Sequence, residues 1–173
     1  MMSVISEFPL FPSYAVALGV GATMLMDVYS FLLKRIFKIQ PLDYALVGRW
    51  ALYLICQLQL RHDSIMQSPK RRGESTLGWV LHYAIGIIFA SLFIELSLLL
   101  NLSPQCVIWS IAFGTVTVMF PFFVMQPCFG FGVAASKAPS PNLARMKSLA
   151  AHAVFGLGIY VTIKSLTYVG FYI

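Results

Sequence analysis

Charged residues are scarce in this chain of 173 residues. They make up 10% of the sequence, whereas soluble domains contain about 25%. Hydrophobic residues account for 59%, and the mean hydropathy is +0.81. So few charges cannot cover the surface of a soluble protein, and so hydrophobic a sequence is not typical of a disordered chain. The composition therefore predicts an integral membrane protein.

Cysteine is also rare, and sequence motifs for catalysis are missing. Cys56, Cys106 and Cys128 have neither CxxC nor metal-ligand spacing, which argues against a disulfide-stapled secreted domain and a metal centre built on cysteine. The sequence has no HExxH motif, no serine nucleophile elbow and no glycine-rich phosphate loop. We interpret the cysteines as small packing residues, and the sequence names no cofactor.

The basic residues are unevenly distributed, although the net charge is +6. Eight of the twelve lie between Lys34 and Arg72, and three more are Lys137, Arg145 and Lys147. Only Lys164 lies elsewhere. No basic stripe with interleaved aromatic residues is present, so we expect no nucleic-acid partner. Cations confined to two loops are typical of membrane proteins, and the predicted partner is the lipid bilayer.

Long apolar runs predict four membrane-spanning helices in a single transmembrane domain over residues 1–173. A span needs about 20 mostly apolar residues. Pro121 lies inside the third run and should kink it, while Pro127 should end it. The predicted fold is an all-α integral membrane four-helix bundle, with spans at about 13–37, 76–100, 105–125 and 147–169.

The segment 44–60 is also apolar, but Arg49 lies near its middle. An arginine at the bilayer centre costs about 2.5–3.5 kcal/mol on insertion scales. We therefore predict an additional helix at the cytoplasmic interface, or one that re-enters the bundle, and a fifth span is the alternative. At helical spacing, Leu46, Val47, Trp50, Leu54 and Leu58 share one face, and Arg49, Cys56 and Gln57 lie on another.

Loop charge predicts the orientation of the chain. The loops after the first and third spans carry eleven of the twelve cations, so both should be cytoplasmic. Four spans then place both termini outside the cytoplasm. No lysine or arginine precedes the first apolar stretch, so we expect a retained helix rather than a cleaved signal peptide.

Polar residues inside the spans are the candidate site. Counting the helical rise places Asp27, His82, Gln126 and His152 at similar depths near the cytoplasmic end, with Arg49 just below. Ionisable residues in spans usually face the bundle interior, which predicts a polar cavity open to the cytoplasm. Three interpretations remain open: a site for a solute, proton or ion, a packing pair in which Asp27 bonds a histidine or Arg49, and a weakly supported divalent-metal site.

Two further patterns concern the opposite side and the helix faces. Glu95 and Lys164 lie at similar heights near the outer side, so they are predicted to approach each other, unless Lys164 extends to the interface. Small residues four apart allow close helix packing, either within the chain or in a homo-oligomer. They are Ala15/Gly19, Ala17/Gly21 and Gly86/Ala90, with Gly156 between His152 and Tyr160.

Five motifs together resemble an uncharacterised family of small bacterial multi-span inner-membrane proteins, catalogued as a domain of unknown function. The motifs cover Gly21–Asp27, Tyr44–Trp50, Gly78–Tyr83, Pro121–Pro127 and His152–Gly158. The resemblance extends over nearly the whole chain. It implies a location in the bacterial inner membrane, and it implies no established activity, substrate or cofactor.

Three functions are compatible with these observations. A transporter or binding protein for a small solute, an ion or a proton would use a water-accessible cavity, and histidine suits coupling to protons. A structural or accessory subunit would contain a dry, fully paired polar layer and basic loops that contact anionic lipid. A membrane-embedded enzyme would use His82, His152 and Asp27 as acid and base groups.

Overall fold

The computed structural model describes residues 11–171. Residues 1–10, on which the prediction of a retained first helix partly depends, and residues 172–173 lie outside this range, as do both chain ends. In chain order the elements are α1 (Phe11–Phe37), α2 (Tyr44–Gln57), α3 (Glu74–Leu99), α4 (Val107–Val116), a π-helical turn (Pro121–Met125), α5 (Gln126–Cys128), a 3-10 turn (Val133–Ala135) and α6 (Pro141–Tyr168).

Four of these segments are long and apolar enough to cross a membrane, which confirms the predicted all-α bundle. They are Pro12–Phe37, Glu74–Leu99, Val107–Cys128 and Pro141–Tyr168. Their bounds differ from the predicted ones by a few residues, most at the start of the fourth segment. The chain reverses direction after each segment, so the loops after α1 and α5 meet at one end of the bundle. We call this the α2 end, and the other end the Leu100 end.

The third segment is not a continuous α-helix. Regular α-helix stops at Val116, and a π-helical turn begins at Pro121. Proline lacks the backbone N–H that would continue the ladder. The amide of Phe120 instead donates to the carbonyl of Thr117 at 3.1 Å. The interruption lies where the sequence predicted a kink, and the segment ends at Cys128, one residue after Pro127.

The additional helix α2 is too short to be a fifth span. Its 14 residues extend for about 21 Å, against a hydrocarbon thickness of about 30 Å. Asp43 caps its start by accepting a hydrogen bond from the amide of Ala45 at 3.0 Å. Of the two faces proposed from the sequence, the one that carries Arg49 is buried at that residue, whereas Cys56 and Gln57 are exposed.

Helices α2 and α3 cross in backbone contact. A Cβ atom added to Gly48 would lie 1.8 Å from the carbonyl oxygen of Glu74, and one added to Gly78 would lie 1.9 Å from that of Tyr44. Only glycine leaves room for two backbones at this separation. The crossing places Tyr44 and Arg49 of α2 directly over α3.

The Leu100 half of the bundle is filled by an apolar core. Phe93 and Ile94 of α3, Leu18 of α1 and Ile159 of α6 are fully buried in it. Small residues bring the helices together. A Cβ on Gly19 would clash with the backbone of α3 at Ile87, and one on Gly156 with the backbone of α4 at Ser110. Gly19 and Gly156 therefore pack within the chain.

Candidate ligand-binding cavity

A cavity of about 730 Å³ lies between the helices at the α2 end. All four long segments contribute side chains to it. The loops after α1, α2 and α5 line it as well, and exposed residues such as Leu42 and Met66 stand among them. Polar residues of the helices that line it are Thr23, Tyr29, Ser30, Tyr44, His82, Gln126, Ser148 and His152.

Asp27 and His82 form an ion pair between α1 and α3. His82 Nε2 lies 2.9 Å from Asp27 Oδ1, and the hydroxyl of Tyr83 donates to Asp27 Oδ2 at 2.9 Å. Both carboxylate oxygens therefore accept a hydrogen bond. His82 lines the cavity, whereas Asp27 lies behind it.

Tyr44 covers the opposite face of this pair. Its ring stacks on the His82 imidazole with centroids 3.9 Å apart and an interplanar angle of 21°. Trp79 meets the Tyr44 ring edge-on at 4.8 Å. Burial, together with the nearby charge of Asp27, raises the pKa of Tyr44, so its phenol stays protonated. Tyr44, the first residue of α2, therefore helps to hold the His82 ring in one orientation.

His152 is held in one tautomer by Thr117. The Thr117 hydroxyl donates its single proton to the carbonyl of Gly114 at 2.6 Å, and His152 Nδ1 lies 2.7 Å from the same oxygen. The hydroxyl proton is already used, so Nδ1 must be the donor. In the neutral ring Nε2 then carries a lone pair, and the described residues 11–171 offer it no hydrogen bond. His152 thus presents an acceptor on a cavity wall.

Two further polar atoms at the cavity wall lack partners within residues 11–171. Thr23 is 1% exposed, and its Oγ1 makes no hydrogen bond; Gln126 Oε1 is buried and equally unpaired. A buried polar atom without a partner costs about 1–3 kcal/mol. Both residues line the cavity, but the two oxygens themselves have almost no accessible surface, and Thr23 Oγ1 lies against Gly86 of α3.

The cavity is more apolar than predicted. Phe89, Phe120, Phe129, Phe131 and Phe155 all line it. The predicted polar layer thus occupies only part of the wall. Each span contributes between one and three polar side chains, and the other lining positions are mostly aromatic or aliphatic.

Arg49 does not join Asp27, and it is not among the cavity-lining residues. It is buried and forms a two-pronged salt bridge with Glu74, with Nε and Nη2 each 2.8 Å from a carboxylate oxygen. The hydrogen bonds that Arg49 donates to Glu74 raise the pKa of Arg49, so it stays charged. The compensation of Asp27 suggested from the sequence is therefore supplied by His82 and Tyr83.

Glu95 and Lys164 are also not brought together. Lys164 Nζ donates to Gln105 Oε1 at 3.0 Å and lies 5.8 Å from the ring centre of Tyr160. Both charged residues are exposed. Across residues 11–171 the salt bridges are Arg49–Glu74 and Asp27–His82, so the structure gives no outer pair.

The described part of the chain has no cluster of three side chains that could bind a metal ion. No group of three His, Cys, Asp or Glu side chains in residues 11–171 is arranged to hold an ion. Both oxygens of Asp27 accept hydrogen bonds, from His82 and Tyr83. His152 Nδ1 donates to Thr117.

Comparison with known proteins places the chain in a family. A family model described as a protein of unknown function, DUF2938, matches residues 16–165. The chain belongs to the DUF2938 family. No curated protein and no solved structure matches it. The match covers both cavity histidines of this DUF2938 protein, together with Asp27, Arg49 and Gln126.

Several residues of the DUF2938 cavity were missed from the sequence. Tyr44, Tyr83 and Trp79 lie inside two of the motifs quoted above, and each contacts the Asp27–His82 pair or its cover. Thr23 and Thr117 are uncharged, and a threonine in an apolar helix usually bonds its own backbone. Only the helix rotation, which the sequence does not specify, shows that Thr23 faces the cavity.

Proposed function

We propose that this DUF2938 protein is an integral membrane protein that binds a small molecule in the cavity at its α2 end. The observation that carries this proposal is the cavity itself, about 730 Å³ in volume. Ligand pockets are commonly 300–1,000 Å³, mostly apolar, with a few convergent polar groups. His82 and His152, which line the cavity, supply such groups.

The packed core of the bundle closes the cavity on the side away from the α2 end. Beyond Phe89 and Phe155 the interior is filled by the packed residues around Phe93, Ile94 and Ile159. A molecule in the cavity therefore has its approach at the α2 end, among the loops. This arrangement favours a binding protein over an open channel.

We also propose a bacterial inner-membrane location with the α2 end in the cytoplasm and both termini outside. The basic residues support this orientation, because the loops and helix ends at the α2 end carry ten cations and α2 carries Arg49. Lys and Arg accumulate on the cytoplasmic side of inner-membrane proteins. The basic loops also fit contact with anionic headgroups.

Two natural cysteines test the orientation without mutation. Cys106 is exposed at the Leu100 end, and Cys56 is exposed on α2, whereas Cys128 is buried. A membrane-impermeant maleimide added to intact cells should label Cys106, and Cys56 should react only after permeabilisation. Labelling of Cys56 in intact cells would reverse the proposed orientation. Cys106→Ser and Cys56→Ser variants identify which site reacts.

The binding function is tested by filling the cavity. Ala151 lines it on α6, whereas the nearby Leu149 is exposed and does not line it. Native mass spectrometry of protein purified from membranes should detect a bound small molecule on wild type and on Leu149→Trp. The Ala151→Trp variant should lack it. A wild-type protein without a bound molecule, or one that keeps it in Ala151→Trp, contradicts the proposal.

Transport is a second candidate, favoured by the broken third segment. The π-helical turn Pro121–Met125 and Gln126 form part of the cavity wall. Discontinuous spans frequently form the substrate sites of transporters and change shape during transport. Uptake or release of the molecule identified by mass spectrometry, measured in proteoliposomes, separates transport from binding alone.

The remaining candidates have less support from the geometry. An accessory subunit was expected to have a dry and fully paired polar layer, whereas Thr23 and Gln126 are unpaired at the wall of a large cavity. An enzyme would need a reacting group beside an activated side chain. The Asp27–His82 pair resembles the orienting half of such an arrangement, and we assign it no reaction.

A further inference from the structure

Hydrogen bonding inside the cavity indicates what the ligand must offer, provided that the cavity binds a small molecule as proposed above. His152 presents the lone pair of Nε2, because Nδ1 donates to Thr117. Gln126 Oε1 and Thr23 Oγ1 have almost no accessible surface, so a ligand does not reach these two oxygens. The amide nitrogen of Gln126 can donate a hydrogen bond. The accessible acceptor between the helices is therefore His152 Nε2, and a fitting ligand carries at least one hydrogen-bond donor.

Charge in the same region argues against an ionic ligand head. Asp27 accepts hydrogen bonds from His82 and Tyr83 and does not line the cavity. The carboxylates on the wall are Asp43 and Asp63, and its cations are Lys137 and Lys147. The first three stand in loops, and Lys147, in the second turn of α6, donates to the carbonyl of Gln40. An uncompensated charge is expensive away from water. The polar atoms between the helices consequently suit a neutral donor such as a hydroxyl group.

Aromatic rings form much of the remaining wall. Phe89 and Phe155 line the cavity and meet edge-on, with centroids 6.4 Å apart. Phe89 also contacts Phe120 at 6.3 Å, and Phe129 contacts Phe131 at 6.0 Å, both edge-on. Rings in such arrangements attract a further ring through offset or edge contacts. Met26 and Met125 add adaptable surface between them.

We infer that the ligand class of this cavity is a neutral aromatic compound that carries a hydroxyl group. The hydroxyl donates to His152 Nε2, with Gln126 as a second polar contact, and the aromatic body packs among the phenylalanine rings. The volume of about 730 Å³ accommodates a bicyclic compound and more. A phenol matches both requirements, whereas an alkyl chain meets neither and a carboxylate brings a charge that the polar atoms do not balance.

Equilibrium dialysis of the purified full-length protein tests this inference with three probes. 1-Naphthol has the aromatic body and the hydroxyl donor, 1-methoxynaphthalene lacks the donor, and 2-naphthoate carries a negative charge. Ala151→Trp protein in the same detergent measures partition into the micelle. We expect 1-naphthol to bind wild type at least tenfold more tightly than either of the other probes. Equal binding of 1-naphthol and 1-methoxynaphthalene overturns the inference, as does tighter binding of 2-naphthoate.

Matched glutamine variants locate the polar contact. Gln126→Leu removes a polar side chain from the wall, and Gln57→Leu makes the same change at an exposed position that does not line the cavity. The affinity for 1-naphthol should fall about three- to tenfold in Gln126→Leu, since one neutral hydrogen bond is lost. Gln57→Leu should bind like wild type. An unchanged affinity in both Gln126→Leu and His152→Phe overturns the assignment of the hydroxyl contact.

Failure of this inference is distinguishable from failure of the proposed function. A co-purified molecule that Ala151→Trp excludes, together with no binding of 1-naphthol, leaves the binding function and removes the ligand class. If no molecule co-purifies and none of the three probes binds above the Ala151→Trp level, both are overturned.

Discussion

Two ion pairs hold helix α3 to its neighbours, and they differ in how completely the protein uses their hydrogen-bonding positions. In the first pair, Arg49 binds both oxygens of Glu74 and also donates Nη1 to the carbonyls of Ile65 and Ser68, each at 3.1 Å. Glu74 accepts a further bond from the amide of Arg71. This pair is closed off, with Arg49 4% exposed.

The second pair remains open on one side. Asp27 is saturated by His82 and Tyr83, but the His82 ring lines the cavity, and within residues 11–171 its Nδ1 makes no hydrogen bond. A saturated pair can only tie helices together. A pair with a free ring atom on a cavity also presents a polarised group to whatever enters. The start of α3, at Glu74, is therefore structural, whereas His82 belongs to the part of α3 that we assign to binding.

Removing one partner of the closed pair should have the largest effect. Arg49→Leu leaves Glu74 as an unpaired charge in a buried position, which costs about 3–5 kcal/mol. We expect the purified protein to lose its folded elution peak at a much lower temperature than wild type. Arg61→Leu removes an exposed arginine from the following loop and serves as the control. Equal melting of the two variants would show that the Arg49–Glu74 pair does not hold α2.

The close crossing of α2 and α3 at Gly48 gives a second test of how α2 is held to α3. This test changes backbone packing instead of charge. Gly48→Ala places a Cβ atom against the Glu74 carbonyl at 1.8 Å, so the helices must separate. We expect a loss of about 2–3 kcal/mol, as for overpacked cores. Gly21→Ala meets only the side chain of Thr162 and should cost less. Thermal stability that ranks Gly21→Ala below Gly48→Ala would contradict this crossing.

The sequence predicted the helices better than it predicted their partners. Apolar runs of span length identify all four long segments, and Arg49 correctly separates α2 from them. The partner of Arg49 is Glu74, 25 positions away. Glu74 is the first residue of α3, whereas the predicted span began at about residue 76, so Glu74 was expected in the loop. The prediction failed because Gly48 and Gly78 permit a crossing that no charge pattern reveals.

Depth along a helix was informative, and rotation about its axis was not. Counting residues places Asp27 and His82 at one level, and the structure joins them at 2.9 Å. The same count placed Glu95 opposite Lys164, and those side chains point elsewhere. Helices whose apolar residues lie all around the axis give no preferred inward face in the sequence. Thr23, which faces the cavity, was missed for the same reason.

Opening the second pair further should affect binding more than folding. Asp27→Asn removes the charge that orients His82, while an amide of the same shape remains. We expect the folded state to lose about 1.5 kcal/mol, the order of a hydrogen bond to a charged group. The affinity for 1-naphthol should fall several-fold. Glu95→Gln makes the same chemical change at an exposed position and should alter neither quantity. A variant as unstable as Arg49→Leu would show that this pair is structural too.

His62 gives the smallest expected effect and probes the loop beside the closed pair. His62 Nδ1 lies 3.1 Å from Ser68 Oγ and 3.5 Å from Gln59 Nε2, and its buried Nε2 is unpaired within residues 11–171. Burial lowers the pKa of His62 below its ordinary value of 6.5. Below pH 6.5 the unfolded chain therefore binds more protons at this residue than the folded protein does. The free energy of unfolding consequently decreases as the pH is lowered.

Replacing His62 should flatten that pH dependence. His62→Gln keeps a polar side chain and removes the titration, whereas His82 and His152 contribute equally to both proteins. Melting temperatures at pH 7.5 and 5.5 should differ less for His62→Gln than for wild type. Parallel losses would mean that His62 gains a proton without cost in the fold. The unpaired Nε2 would then reach water, and the loop around the Arg49–Glu74 pair would be open like the cavity beside His82.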